Sequence, residues 1–113
     1  MNTAERELRL KKIYLEALPG RLQELQEGME ALIEDEANEQ QLNQLHRAVH
    51  NLAGSSSTYG FESLGDKAGE LEEWVEAFVD SKTLPTEADQ TQFQLHLREL
   101  EKISDGLKST VAL

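Results

Sequence analysis

Hydrophobic residues recur at intervals of three and four along almost the whole 113-residue chain. This spacing places apolar side chains on one face of an α-helix, whereas a half-buried strand would alternate at every second residue. The pattern occupies four segments, which include Leu22, Leu52, Leu71 and Leu97. The connections between them are short and favour antiparallel neighbours. The sequence therefore predicts an all-α fold, an antiparallel up-down-up-down four-helix bundle, with a single domain over residues 1–113.

Breaks in the pattern give expectations about individual helices. Pro19-Gly20 falls inside the first apolar segment. Because proline removes a backbone donor and clashes with the preceding turn, we expect that helix to be kinked or broken there. The polar stretch 35–38 separates the first two helices, and Asn38 is a suitable N-cap for the second. Gly60 stands where the second helix should end in a left-handed residue.

The charge balance restricts the partners of the chain. It has 22 acidic and 11 basic residues and a net charge of −11, which would repel a phosphate backbone or an anionic membrane surface. No apolar run is long enough to span a bilayer or to act as a signal sequence, and cysteine is absent. We therefore expect a cytoplasmic protein that binds neither nucleic acid nor membrane.

The segment 45–60 concentrates the residue types that could carry chemistry. At about 100° per residue on a helix, His50 lies away from the apolar stripe and His46 lies at its margin. Gly54 follows one turn after His50, and since a glycine inside a helix costs roughly 0.5–1 kcal/mol relative to alanine, access to the imidazole would explain it. The two histidines also have the i, i+4 spacing of a helical metal pair. His96 is expected at the surface.

Common catalytic motifs are missing from the sequence. It has no P-loop, no dinucleotide-binding glycine motif, no nucleophile elbow and no HExxH zinc motif. The serine run 55–57 near His50 does not suggest a catalytic triad, because a triad needs a buried acid and free backbone donors, and donors inside a helix are already used. We therefore expect no ATP site.

The second and third apolar segments resemble the signature of histidine-containing phosphotransfer (HPt) domains. They contain the run His50-Asn51-Leu52-Ala53-Gly54-Ser55, then Gly60, and then Leu64, Ala68 and Leu71-Glu72. The family motif reads H-x-L-K-G-S, with a later glycine that ends the helix and a following helix that carries leucine, alanine and Leu-Glu. The resemblance covers nearly the whole chain and implies a helical bundle that acts as a phosphorelay intermediate in two-component signal transduction.

By this resemblance, His50 is the phosphorylated residue. Its neutral imidazole would accept a phosphoryl group from an aspartate of a response-regulator receiver domain and pass it to another receiver aspartate. The implied partners are receiver domains or a sensor histidine kinase. The chain itself would bind no cofactor, because the receiver supplies Mg²⁺, and it would have no autokinase activity, so whether it counts as an enzyme stays open.

One position departs from the family motif. The family lysine that offsets the phosphoryl charge is Ala53 here, and Arg47 and Lys67 are the candidates to replace it. The residues expected to form the docking surface around His50 are Arg47, Asn51, Gly54, Ser57 and Lys67. Three alternatives stay open: a non-catalytic receiver-binding adaptor, a metal-binding helical bundle that uses His46 and His50, and a purely structural helical bundle.

Overall fold

The computed structural model describes residues 2–34 and 37–111, which form four α-helices. They are α1 (Thr3–Leu32), α2 (Glu39–Thr58), α3 (Glu62–Ser81) and α4 (Glu87–Val111). No β-strand occurs in the described ranges, so the predicted all-α four-helix fold is confirmed. None of these helices combines the length and the apolar composition that crossing a membrane requires.

Contacts between successive helices show their relative direction. The pairs are Gly28 with Leu45 and Tyr14 with Ser55 for α1 and α2, Ser57 with Gly65 and His50 with Glu72 for α2 and α3, and Trp74 with Phe93 and Lys67 with Glu99 for α3 and α4. Along each pair of helices, one residue number rises as the other falls. Successive helices therefore run in opposite directions.

The helix α1 continues through Pro19-Gly20. Of the two expectations for this position, the break is therefore wrong, and the kink stays a prediction. The proline is exposed, and its ring therefore takes no space from the core. Leu18 and Leu22 are buried on either side of it. Burying a leucine fully contributes about 1.5–3 kcal/mol, and burial on both sides offsets the roughly 3 kcal/mol cost of an internal proline.

Both ends of α2 form as the sequence predicts. The Asn38 side chain accepts a hydrogen bond from the Gln41 backbone N–H at 3.0 Å, and the Gln41 side chain accepts one from the Asn38 backbone N–H at 3.0 Å. Gly60 follows the helix with φ 84°, the left-handed conformation that glycine adopts without strain. Of the polar connection at 35–38, residues 35 and 36 lie outside the described residues.

The helices α2 and α3 approach closely near the turn that joins them. A Cβ added at Gly65 would overlap the Ser57 hydroxyl and would stand 3.3 Å from the Ala53 carbonyl oxygen. Glycine is therefore required at this position by the nearness of the two backbones. This close approach brings the side chains of α3 within reach of those on α2.

Candidate functional site

His50 lies in the middle of α2 with most of its side chain in solvent. Val49 and Leu52 are buried in the core at 0% and 1% exposure, and they fix which face of this turn points inward. His50 is thereby directed outward, with 65% of its side chain exposed. A second macromolecule can reach its ring.

Glu72 of α3 holds the His50 ring by one nitrogen. Its Oε2 lies 2.6 Å from Nδ1 of His50, at the short end for a hydrogen bond between an imidazole nitrogen and a carboxylate. Because an ionised carboxylate only accepts, a neutral His50 ring in this contact carries its hydrogen on Nδ1 and its lone pair on Nε2. The arrangement is an exposed imidazole that a carboxylate on the neighbouring helix orients.

His46 lies one turn before His50 and faces the same carboxylate. Its Nε2 is 3.8 Å from Oε2 of Glu72, which is too long for a hydrogen bond. In the ranges 2–34 and 37–111, no group of three or more histidine or acidic side chains is arranged to hold a metal ion. The i, i+4 histidine pair therefore finds no further ligands in that part of the chain.

Most of the predicted docking residues surround His50 on the exposed side of α2. Arg47, Asn51 and Gly54 are exposed, and helix geometry places them within about 100° of His50. A Cβ added at Gly54 would meet no atom within 4 Å, so packing inside the protein does not explain this glycine. Ser57 is also exposed, at the seam where its hydroxyl faces α3.

Lys67 differs from the other predicted docking residues, because it lies in the seam between α3 and α4. Its Nζ is 3.0 Å from Oε2 of Glu70 and 2.5 Å from Oε2 of Glu99, and only 15% of its side chain is exposed. The hydrogen bond to Glu99 raises the pKa of Lys67 and lowers the pKa of the Glu99 carboxyl. The charge of Lys67 is thus balanced inside the chain and is not brought together with His50.

His96, expected at the surface, is half-buried in the same seam. Its ring centroid lies 5.7 Å from that of Trp74. Both ring nitrogens are buried without a hydrogen-bond partner among the described residues. Burial, aided by the charge of Lys67, lowers the pKa of His96. This histidine serves packing between α3 and α4 and stands apart from the His50 site.

Two contributions to the site escaped the sequence analysis, those of Glu72 and Arg21. Arg21 of α1 donates a hydrogen bond to Oγ of Ser55 at 3.1 Å. The same oxygen lies 2.9 Å from the Tyr14 hydroxyl, and the guanidinium carbon lies 5.6 Å from the Tyr14 ring centroid. A positive charge from α1 is therefore fixed against α2, at the residue that follows Gly54.

A known protein family matches the part of the chain that carries this site. The family model described as Hpt domain matches residues 9–106 of the chain. The match reaches into all four helices and includes both His50 and Glu72. No curated protein and no solved structure matched the chain.

Proposed function

The chain belongs to the Hpt domain family, whose role is histidine phosphotransfer in phosphorelays, and from this premise we propose that His50 is its phosphoryl-accepting residue. The observation that carries the proposal is the contact between Glu72 and Nδ1 of His50, which leaves an exposed Nε2 with a free lone pair. The donor is an aspartyl phosphate on a response-regulator receiver domain, and the acceptor of the return step is an aspartate on another receiver.

In the proposed step, the Nε2 lone pair attacks phosphorus in line with the bond to the aspartate oxygen. The N–P bond forms while the P–O bond breaks, and the aspartate carboxylate leaves with the electron pair of that bond. The imidazole ring gains positive charge as the N–P bond forms, and the ionised Glu72 stabilises it by accepting a hydrogen bond from Nδ1–H. A separate general base is unnecessary, because a neutral imidazole is itself the nucleophile.

The receiver would dock over the exposed side of α2. Its phosphorus must come within about 3–3.5 Å of the attacking nitrogen, so bulky side chains near His50 would prevent transfer. Gly54 supplies the necessary clearance. Arg47 on α2 and Arg21 on α1 supply positive charge toward the phosphoryl group and the acidic receiver pocket, whereas Ala53 supplies none.

We assign no cofactor and no ATP site to this chain. Magnesium stabilises the charge that develops during phosphoryl transfer, and we assign its binding to the carboxylates of the receiver. The residues described here contribute the nucleophile, its orienting carboxylate and the docking surface. The chain would therefore act as a phosphoryl carrier between the aspartates of two receiver domains, without kinase activity of its own.

The test of this proposal is transfer of labelled phosphate from a panel of phosphorylated receiver domains. Wild-type protein should take up label that is stable in alkali and labile in acid, as a phosphohistidine is, and His50→Gln should take up none. His96→Gln is the matched control, because that histidine lies in the α3–α4 seam, and it should be labelled normally. Label that persists in His50→Gln would show that another residue is the acceptor.

The alanine at position 53 supports one alternative function. Without the family lysine, the chain would bind a receiver as an adaptor and would transfer phosphate poorly or not at all. Titration calorimetry and the labelling assay together separate the two functions. An adaptor would bind a receiver in calorimetry but would take up no label from it. Rapid labelling of the wild-type protein would exclude the adaptor role.

A further inference from the structure

One carboxylate oxygen of α3 faces two imidazoles of α2. Oε2 of Glu72 lies 2.6 Å from Nδ1 of His50 and 3.8 Å from Nε2 of His46. The two histidines are four residues apart and therefore lie above one another on the same side of the helix. Glu72 is thus placed between two potential hydrogen-bond donors.

The Nε2 atom of His46 is buried and has no hydrogen-bond partner within the part of the chain that the structure describes. Buried polar atoms are normally paired, and Oε2 of Glu72 is an acceptor within 4.0 Å of this one. A small rotation of either side chain would shorten the distance to an ordinary hydrogen bond of about 2.9 Å. A neutral imidazole that carries its hydrogen on Nε2 is a suitable donor for that bond.

We infer that His46 is a positioning residue for phosphotransfer, an inference that rests on the proposed role of His50. His46 donates its Nε2–H to Glu72 and holds that carboxylate against Nδ1 of His50. The Glu72 side chain is 21% exposed, so without this second bond it can turn toward solvent. The His50 ring would then lose the partner that keeps hydrogen on Nδ1 and the lone pair on Nε2.

The chemistry of imidazole suits this role. A neutral donor fixes the carboxylate without cancelling its negative charge, and that charge is what stabilises the His50 ring when the N–P bond forms. Lysine or arginine at position 46 would compete with His50 for the carboxylate. His46 touches no reacting atom, and its whole effect passes through Glu72.

The test compares the tautomer of His50 in variants of position 46. Nitrogen-15 NMR at about pH 8, where ordinary imidazoles are neutral, should show the His50 hydrogen on Nδ1 in the wild-type protein. His46→Leu removes the donor and should shift this hydrogen toward Nε2, with a loss of transfer rate. His46→Gln places an amide donor at a similar reach and should restore both the wild-type tautomer and the transfer rate.

A matched variant and a folding check make the result decisive. Glu72→Leu should produce the same change of tautomer as His46→Leu, and amide spectra establish that every variant is folded. A folded His46→Leu with the wild-type tautomer and rate would overturn the inference, as would a His46→Gln that behaves like His46→Leu. Failure of the proposed function is separate, because it would appear as missing label on His50 whatever the tautomer.

Discussion

Replacing Gly54 by alanine should make the protein more stable and less active. A Cβ at this position meets no atom within 4 Å, and α2 is helical throughout, so the change adds helix propensity without a clash. The expected gain is roughly 0.5–1 kcal/mol in the free energy of unfolding. For a domain of 113 residues, this corresponds to about 2–4 °C in Tm.

A larger side chain at the same position should separate stability from activity more sharply. Gly54→Leu adds bulk one turn beyond His50 on the same side of the helix, about 6 Å along its axis. A docked receiver would be held away from Nε2, and a displacement of about 1 Å can cost roughly a hundredfold in rate. Leucine is also a good helix former, so the helix itself should persist.

The assay pairs thermal unfolding with the rate of phosphoryl transfer from a receiver. Gly106→Ala is the matched control, because this glycine also lies inside a helix, is exposed and has open space around an added Cβ. It should gain similar stability at an unchanged transfer rate. A wild-type rate in Gly54→Leu would refute the access argument, and a lower Tm in Gly54→Ala would refute the argument from open space.

Three further predictions concern stability. Gly65→Ala should lower the free energy of unfolding by about 1–3 kcal/mol, because an added Cβ overlaps the Ser57 hydroxyl; urea titration should show no such loss in Gly69→Ala, which has open space around it. Burial lowers the pKa of His96 from its ordinary value of 6.5, so the unfolded chain binds this proton more tightly and stability should fall as pH drops below that value. Urea midpoints measured above and below pH 6.5 should differ less in His96→Gln than in the wild-type protein. Asn38→Ala removes the capping box and should cost about 1 kcal/mol, and an unchanged Tm would show that the cap contributes nothing.

The four helices were predictable because burial of an apolar stripe dominates their formation. The same fact explains why Pro19 does not break α1. The cost of an internal proline is local and visible in the sequence, whereas the compensation comes from Leu18 and Leu22 packing into a core that only the assembled bundle supplies. A local pattern therefore overestimates the effect of a helix breaker that faces solvent.

The features of the site also fall into two groups, those set within one helix and those set by the packing of several helices. The exposure of His50 and Gly54 was predictable because it depends only on the helical wheel of α2. The contacts of Glu72 and Lys67 depend on how α3 is aligned against α2 and α4. That alignment places Glu72 beside His50 and Lys67 beside Glu99. Periodicity within one helix contains no information about that alignment.

The close approach of α2 and α3 also bears on the missing lysine. The side chain of Ala53 is partly buried and packs against the core, and its carbonyl oxygen lies near the backbone of Gly65. A lysine there would have to extend out of this packed seam to place its ammonium in solvent. In this chain the orienting negative charge comes from α3, and Arg21 places a positive charge on the α1 side. The two charges therefore reach α2 from different helices, and the guanidinium is held by Ser55 and the Tyr14 ring rather than by the carboxylate that contacts His50.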